Sequence, residues 1–111
     1  MVTDHADVAR SYYAAIDEHA YDDLADLLEP GFVHERPDRT LEGRDRFVDF
    51  MREDRPMTDT THAVDGVYRD DTDDEVAVRG RLLRDDERLF GFVDVFSFSA
   101  NAVTRLRTYT D

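Results

Sequence analysis

The sequence predicts an α+β domain, with three N-terminal helices packed on one face of a curved, mostly antiparallel sheet. Three observations carry this. Apolar residues of the first half recur at three- and four-residue spacing, as on amphipathic helices. The second half alternates in period two, as strands with two unlike faces do. Short turns of Asp and Asn separate the alternating runs. No repeat, linker or low-complexity segment interrupts the chain, so residues 1–111 are expected to form one domain.

The elements follow in order. Thr3 is the expected N-cap of the first helix, with Asp4 and Asp7 in its first turn, where acids suit the helix dipole. Val8, Tyr12, Ala15, Ile16 and His19 mark its apolar face, with Ala9 and Tyr13 beside it. A second helix over Tyr21–Glu29 sets Tyr21, Leu24, Leu27 and Leu28 on one side, and Pro30-Gly31 end it. Phe32–Arg36 reads as a short strand closed by Pro37, and Asp38–Glu42 as a loop. Gly43 opens a third helix carrying Phe47, Phe50 and Met51, which Pro56 stops. Thr60–Arg69 is a strand and Asp70–Asp74 an acidic turn. Glu75–Arg84 puts Val76, Val78, Gly80 and Leu82 on one face and Arg79 and Arg81 on the other. Asp85-Asp86 turns the chain into Leu89–Phe98, Asn101 turns it again, and Val103–Tyr109 is the last strand.

Leu89–Phe98 is the most informative run. One face presents Phe90, Phe92, Asp94, Phe96 and Phe98; the other is also largely apolar. A strand apolar on both faces is covered on both. A carboxylate among four aromatic rings is costly unless it has a partner, a proton or a purpose.

Composition narrows the setting. Asp plus Glu is 27 against 14 basic residues, all of them Arg, for a net charge of −13. Such a field disfavours nucleic acid or an anionic membrane as partner. Asp-rich, Lys-free composition resembles that of halophilic cytosolic proteins, in which molar salt screens the repulsion. There is no cysteine, which removes disulfides, thiol nucleophiles and thiolate metal sites. No apolar run reaches the roughly 20 residues that span a bilayer. MVTDHADVAR lacks the apolar segment of a signal peptide, so a soluble, cytoplasmic protein is expected.

The segments YYAAIDEHAYDDLADLLEPGFVHERP, LEGRDRFVDFM, VDVFSF and VTRLRTY, in this order and spacing, resemble the SnoaL-like domains of the nuclear-transport-factor-two-like superfamily. The resemblance runs from about Val8 to Tyr109. It implies a cone-shaped sheet wrapped around helices, a pocket inside the cone, and homodimers built through the outer sheet face. The superfamily hosts polyketide cyclases, ketosteroid isomerases, dehydratases and epoxide hydrolases, so the site must decide the chemistry. Against ketosteroid isomerases, register places Tyr12 at the oxyanion-hole tyrosine, Asp94 at the protonated aspartate and Arg36 at the catalytic base. A guanidinium does not deprotonate near neutrality, so steroid isomerisation itself is not expected.

The same register points Phe32, His34, Arg36, Val78, Gly80, Phe92, Asp94, Phe96, Leu106 and Thr108 inward. Of these, His34 titrates nearest neutrality; it is either a hydrogen-bonded core histidine or, if the protein is an enzyme, the general base, with Tyr12 and Asp94 stabilising developing negative charge. Arg36 would hold an acidic substrate group. His62 falls at the pocket mouth or in solvent, and Phe47, Phe50 and Met51 complete an apolar wall. The lack of closely spaced histidines argues against a metal site, and no cofactor is expected. The function expected is binding of a small hydrophobic or weakly acidic molecule, with isomerisation, cyclisation or dehydration by proton transfer. The rival expectation is a non-catalytic binding or dimerisation module in which Arg36 and Asp94 neutralise each other.

Overall fold

A computed structural model describes residues 4–55, 59–72 and 74–111. Its elements run α1 (His5–Asp17), α2 (Tyr21–Asp26), β1 (Leu28–Glu35), β2 (Thr40–Glu42), α3 (Arg44–Asp49) with a π-helical turn over Phe50–Asp54, β3 (Thr61–Arg69), β4 (Glu75–Arg84), β5 (Glu87–Ser99) and β6 (Ala102–Thr110). The strands form one sheet in the order β2-β1-β6-β5-β4-β3. Only the β1–β6 pairing is parallel. Register shifts interrupt four of the five ladders, and such bulges bend strands and deepen the twist. The curved sheet with helices in its hollow is the α+β arrangement expected.

Helix α1 forms because its apolar stripe has somewhere to go. Val8, Ala9, Tyr12, Tyr13, Ala15 and Ile16 are all buried. Tyr12 and Tyr13 set their rings 5.2 and 5.8 Å from Phe96 of β5, and Phe32 of β1 meets Phe47 of α3 at 5.0 Å. These aromatic contacts join the helices to the concave face of the sheet. On β5 the even positions Phe92, Asp94, Phe96 and Phe98 are buried, while Val93 is 37 % exposed. The alternation read from the sequence therefore holds.

Several boundaries differ from expectation. Asp4, not Thr3, caps α1: its side chain accepts from the Ala6 N–H at 2.8 Å. Thr3 itself lies outside the described residues. The helix ends at Asp17, so His19 leaves the apolar stripe and sits exposed at φ 57°. Helix α2 stops at Asp26, and Pro30 and Gly31 lie within β1 rather than ending a helix. They fall where the β1–β6 register shifts, an interruption that removes the ladder bond proline cannot make. Three residues of the expected loop pair with β1 as strand β2, anchored by buried Leu41. Gly43 does open α3, at φ 97°, which a residue with a Cβ rarely adopts. Pro56, the expected stop, lies outside the described residues; the helical turn ends at Asp54. The Asp85-Asp86 turn is as expected, with both residues at positive φ, as a two-residue hairpin requires.

Candidate functional site

The open end of the hollow leaves a cavity of about 210 Å³. Eight of the expected site residues line it: Tyr12, His34, Arg36, Met51, His62, Phe92, Asp94 and Thr108. The other six, Phe32, Phe47, Phe50, Val78, Phe96 and Leu106, are buried in the core beneath or beside it and do not line it. Phe50 instead carries the guanidinium of Arg36 on its ring, at 5.5 Å.

Asp94 sits at the bottom, 5 % exposed. Its place follows from sheet register, since Val78 of β4 and Thr108 of β6 flank it directly. Thr108 Oγ1 donates to Oδ1 at 2.5 Å, and the Tyr13 hydroxyl donates to Oδ2 at 2.6 Å. Burial raises the Asp94 pKa, and these two hydrogen bonds oppose the rise. The tyrosine bonded to the acid is therefore Tyr13, not Tyr12. Burial and the nearby carboxylate push the Tyr13 hydroxyl far above its ordinary range, so it stays a neutral donor. Tyr12 lines the cavity, and its hydroxyl makes no hydrogen bond among the described residues.

His34 completes a chain of hydrogen bonds. Its Nε2 lies 2.8 Å from Thr108 Oγ1. A hydroxyl has one proton, and while Thr108 spends it on Asp94 its oxygen must accept from His34. Nε2 then carries the hydrogen, and Nδ1 is a bare, buried acceptor without a partner. Burial, and then the charge of Arg36, pull the His34 pKa down to about 3. An imidazole that basic only near pH 3 is a poor proton acceptor at neutrality. The reading of His34 as a hydrogen-bonded core histidine fits this environment, and the role of base does not.

A second imidazole fits it better. His62, on β3, holds its Nδ1 2.6 Å from Asp17 Oδ1, and its backbone N–H donates to Asp17 Oδ2 at 2.9 Å. The carboxylate grips ring and backbone together, so Nδ1 carries a hydrogen toward it, and in the neutral ring Nε2 holds the lone pair. The ring packs 5.1 Å from Tyr13 and 5.7 Å from Phe92 and borders the cavity. Asp17 had no part in the sequence reading. The signal for it was an acid in the last turn of α1, where the helix dipole disfavours negative charge and some other partner must hold it.

Arg36 pairs with Asp38 at 3.5 Å, and the internal Arg36–Asp94 ion pair does not form; both Asp94 oxygens accept hydroxyls instead. Among the described residues no group of three or more His, Asp or Glu is arranged to hold a metal ion. Nor is any helix among them long and apolar enough to cross a membrane.

Known structures share this architecture. A nuclear-transport-factor-two-like protein of unknown function from Cytophaga hutchinsonii superposes with a TM-score of 0.84 at 15 % identity, over 100 % of this chain and 92 % of that one. A candidate ketosteroid isomerase from Kribbella flavida gives 0.85 at 23 % identity, over 97 % and 78 %. An LEH-like epoxide hydrolase of M. tuberculosis gives 0.80 at 17 % identity, over 99 % and 84 %. At these identities the likeness is one of fold. No curated protein matches the sequence. The model of the SnoaL-like domain matches residues 9–106, and with it the order of elements and the pocket inside the sheet agree: the chain belongs to the SnoaL-like domain family.

Proposed function

We propose that the cone pocket binds a small, partly hydrophobic molecule and moves a proton on it without a cofactor, in an isomerisation, cyclisation or dehydration. One observation carries this reading: a histidine held by a carboxylate, His62 on Asp17, borders the same cavity as the buried acid Asp94. A base and a group of raised pKa facing one cavity are what proton transfer requires. In this reading His62 Nε2 removes a proton beside a carbonyl. The negative charge that develops on the carbonyl oxygen is met by the Tyr12 hydroxyl and by Asp94 in its acid form. Thr108 and Tyr13 hold Asp94, and His34 holds Thr108. The apolar wall of Ile16, Leu82, Phe90 and Phe92 excludes water and strengthens each of these interactions.

The test is hydrogen exchange into a probe ketone. 2-Tetralone in deuterated buffer, followed by proton NMR, should exchange its acidic protons faster with the protein than without it. His62→Gln should lower the protein-dependent rate by about 10²-fold or more, and Asp17→Asn should lower it in the same direction. Exchange no faster than in buffer, or unchanged in His62→Gln, would sink the reading.

Two wider features belong to the same proposal. Leu89, Val93 and Tyr109, at 38, 37 and 55 % exposure, lie on the outer face of β5 and β6, where Val93 and Tyr109 are register partners. They support a homodimer through that face. Sedimentation equilibrium should find a dimer at micromolar concentration, and a monomer throughout that range would refute it. The acidic, cysteine-free composition supports a salt-rich cytoplasm as the setting.

A further inference from the structure

The cavity has a cationic rim that the proton-transfer residues leave unused. Arg36, just past β1, and Arg55, just past the π-helical turn, both line it. Arg55 is half-buried, yet its partners are neutral: Nε donates to the Met51 carbonyl at 3.0 Å and a terminal nitrogen donates to the Tyr21 hydroxyl at 3.2 Å. Four arginines of the described residues are half-buried: Arg36, Arg44, Arg55 and Arg105. Arg36, Arg44 and Arg105 each have a carboxylate within ion-pair distance, and Arg55 has none among the described residues. In a chain with 27 acids and 14 arginines, a guanidinium held only by neutral groups at a pocket edge is out of pattern. Those bonds use two of its five N–H donors. The ion pair of Arg36 is a single contact at 3.5 Å to Asp38, whose side chain is 55 % exposed, and such pairs are weak.

Among the described residues, Asp94 carries the only carboxyl group in the cavity lining, and both its oxygens already accept hydrogen bonds, so it does not answer this charge. The rest of the wall away from the rim is largely apolar. An apolar cavity of about 150 Å³ accepts benzene, so about 210 Å³ suits a molecule of about ten heavy atoms.

We infer that the pocket takes an apolar molecule bearing one carboxylate, which Arg36 and Arg55 clamp at the rim while the hydrocarbon body lies against Ile16, Met51 and Phe92. This rests on the reading of the cone pocket as the binding site and names its substrate class. The clamp also supplies orientation, because a planar carboxylate met by two guanidinium forks has one favoured pose. Against a net charge of −13, local cations are what an anion needs in order to enter.

Isothermal titration of trans-cinnamate and trans-cinnamamide, at one fixed potassium chloride concentration, tests this. The two probes share a shape and differ in charge. Cinnamate should bind about tenfold tighter or more. Arg55→Gln and Arg36→Gln should each shrink that ratio several-fold and leave amide binding nearly unchanged. If Arg55→Gln unfolds, since it braces Met51 and Tyr21, Arg36→Gln and the wild-type ratio decide. Equal affinity for the two probes, a ratio surviving in both variants, or binding of neither probe overturns the clamp. Calorimetry needs no turnover, so cinnamate preference without exchange into tetralone leaves the clamp standing and removes proton transfer. Exchange without cinnamate preference does the reverse.

Discussion

At His34 the physical chemistry opposes a charged imidazole. The ring is 6 % exposed, Arg36 adds positive charge nearby, and the pKa drops from 6.5 to about 3. The sign of the consequence follows from proton uptake. Above pH 6.5 the ring is neutral in both states, so it adds no pH dependence. Below that, the unfolded chain binds a proton that the folded chain refuses until about pH 3. Stability should therefore fall by about 1.4 kcal/mol per pH unit across that window from this residue alone. Asp94 acts in the opposite sense: its raised pKa makes the folded state take up a proton first, so its contribution grows as pH falls. The wild-type curve mixes the two, but His34→Gln isolates one. Urea denaturation across pH 4 to 7 should show a shallower acid limb for His34→Gln than for wild type; parallel limbs would rule this out. For Asp94, the Asn variant keeps the shape and one acceptor while removing the titration. It should stay folded yet lose protein-dependent exchange into tetralone by about 10²-fold or more, read by the same NMR assay.

Gly80 shows how an element prepares the site. It lies mid-strand in β4, opposite Phe92 on β5 and near β3. A Cβ there would sit 2.6 Å from the Ala63 carbonyl oxygen and 2.7 Å from Phe92 Cζ. The carbonyl is fixed in the β3–β4 ladder and cannot swing aside. Gly80→Ala should cost about 1–3 kcal/mol, seen as a lower urea midpoint at unchanged slope, and should weaken ligand binding by displacing Phe92 from the cavity wall. A midpoint equal to wild type would mean that the strands part freely here. The sequence made this strand legible, and likewise β5 and α1, because long periodic runs have a readable face. It did not disclose β2: three residues have no period, and only pairing with β1 makes Thr40–Glu42 a strand. The site was legible where register sufficed, as at Asp94 and Thr108, which are direct neighbours across β5 and β6. It was illegible where two elements far apart in the chain meet. Asp17 and His62 are 45 residues apart, and no local spacing joins them. Tyr12 and Tyr13 are adjacent on one helix, both buried, and only the rotation of α1 over β5 decides which reaches Asp94.

For the whole molecule, range separates the charges that hold the fold from those that oppose it. Several ion pairs are close: Arg81 meets Asp65 through two contacts at 2.9 and 3.0 Å, and Arg105 and Arg107 each reach Glu35 at 3.2 Å. All the chain's side-chain cations other than histidine are arginine, whose fork suits such contacts. The excess of 13 negative charges acts over longer distances, across a body of 37 × 28 × 26 Å. At about 0.01 M salt the Debye length is about 30 Å, so every acid feels most of the others. At 1 M it is about 3 Å, which removes the long-range repulsion and leaves contact pairs least affected. Stability should therefore rise with potassium chloride, even though each exposed pair by itself is worth little. The melting midpoint, followed by circular dichroism, should climb steadily from millimolar to molar potassium chloride. Sodium chloride should act alike at equal ionic strength, because the effect is screening. A flat midpoint would mean that the paired arginines already offset the field, and a rise with one cation only would point to specific ion binding at the acidic surface instead.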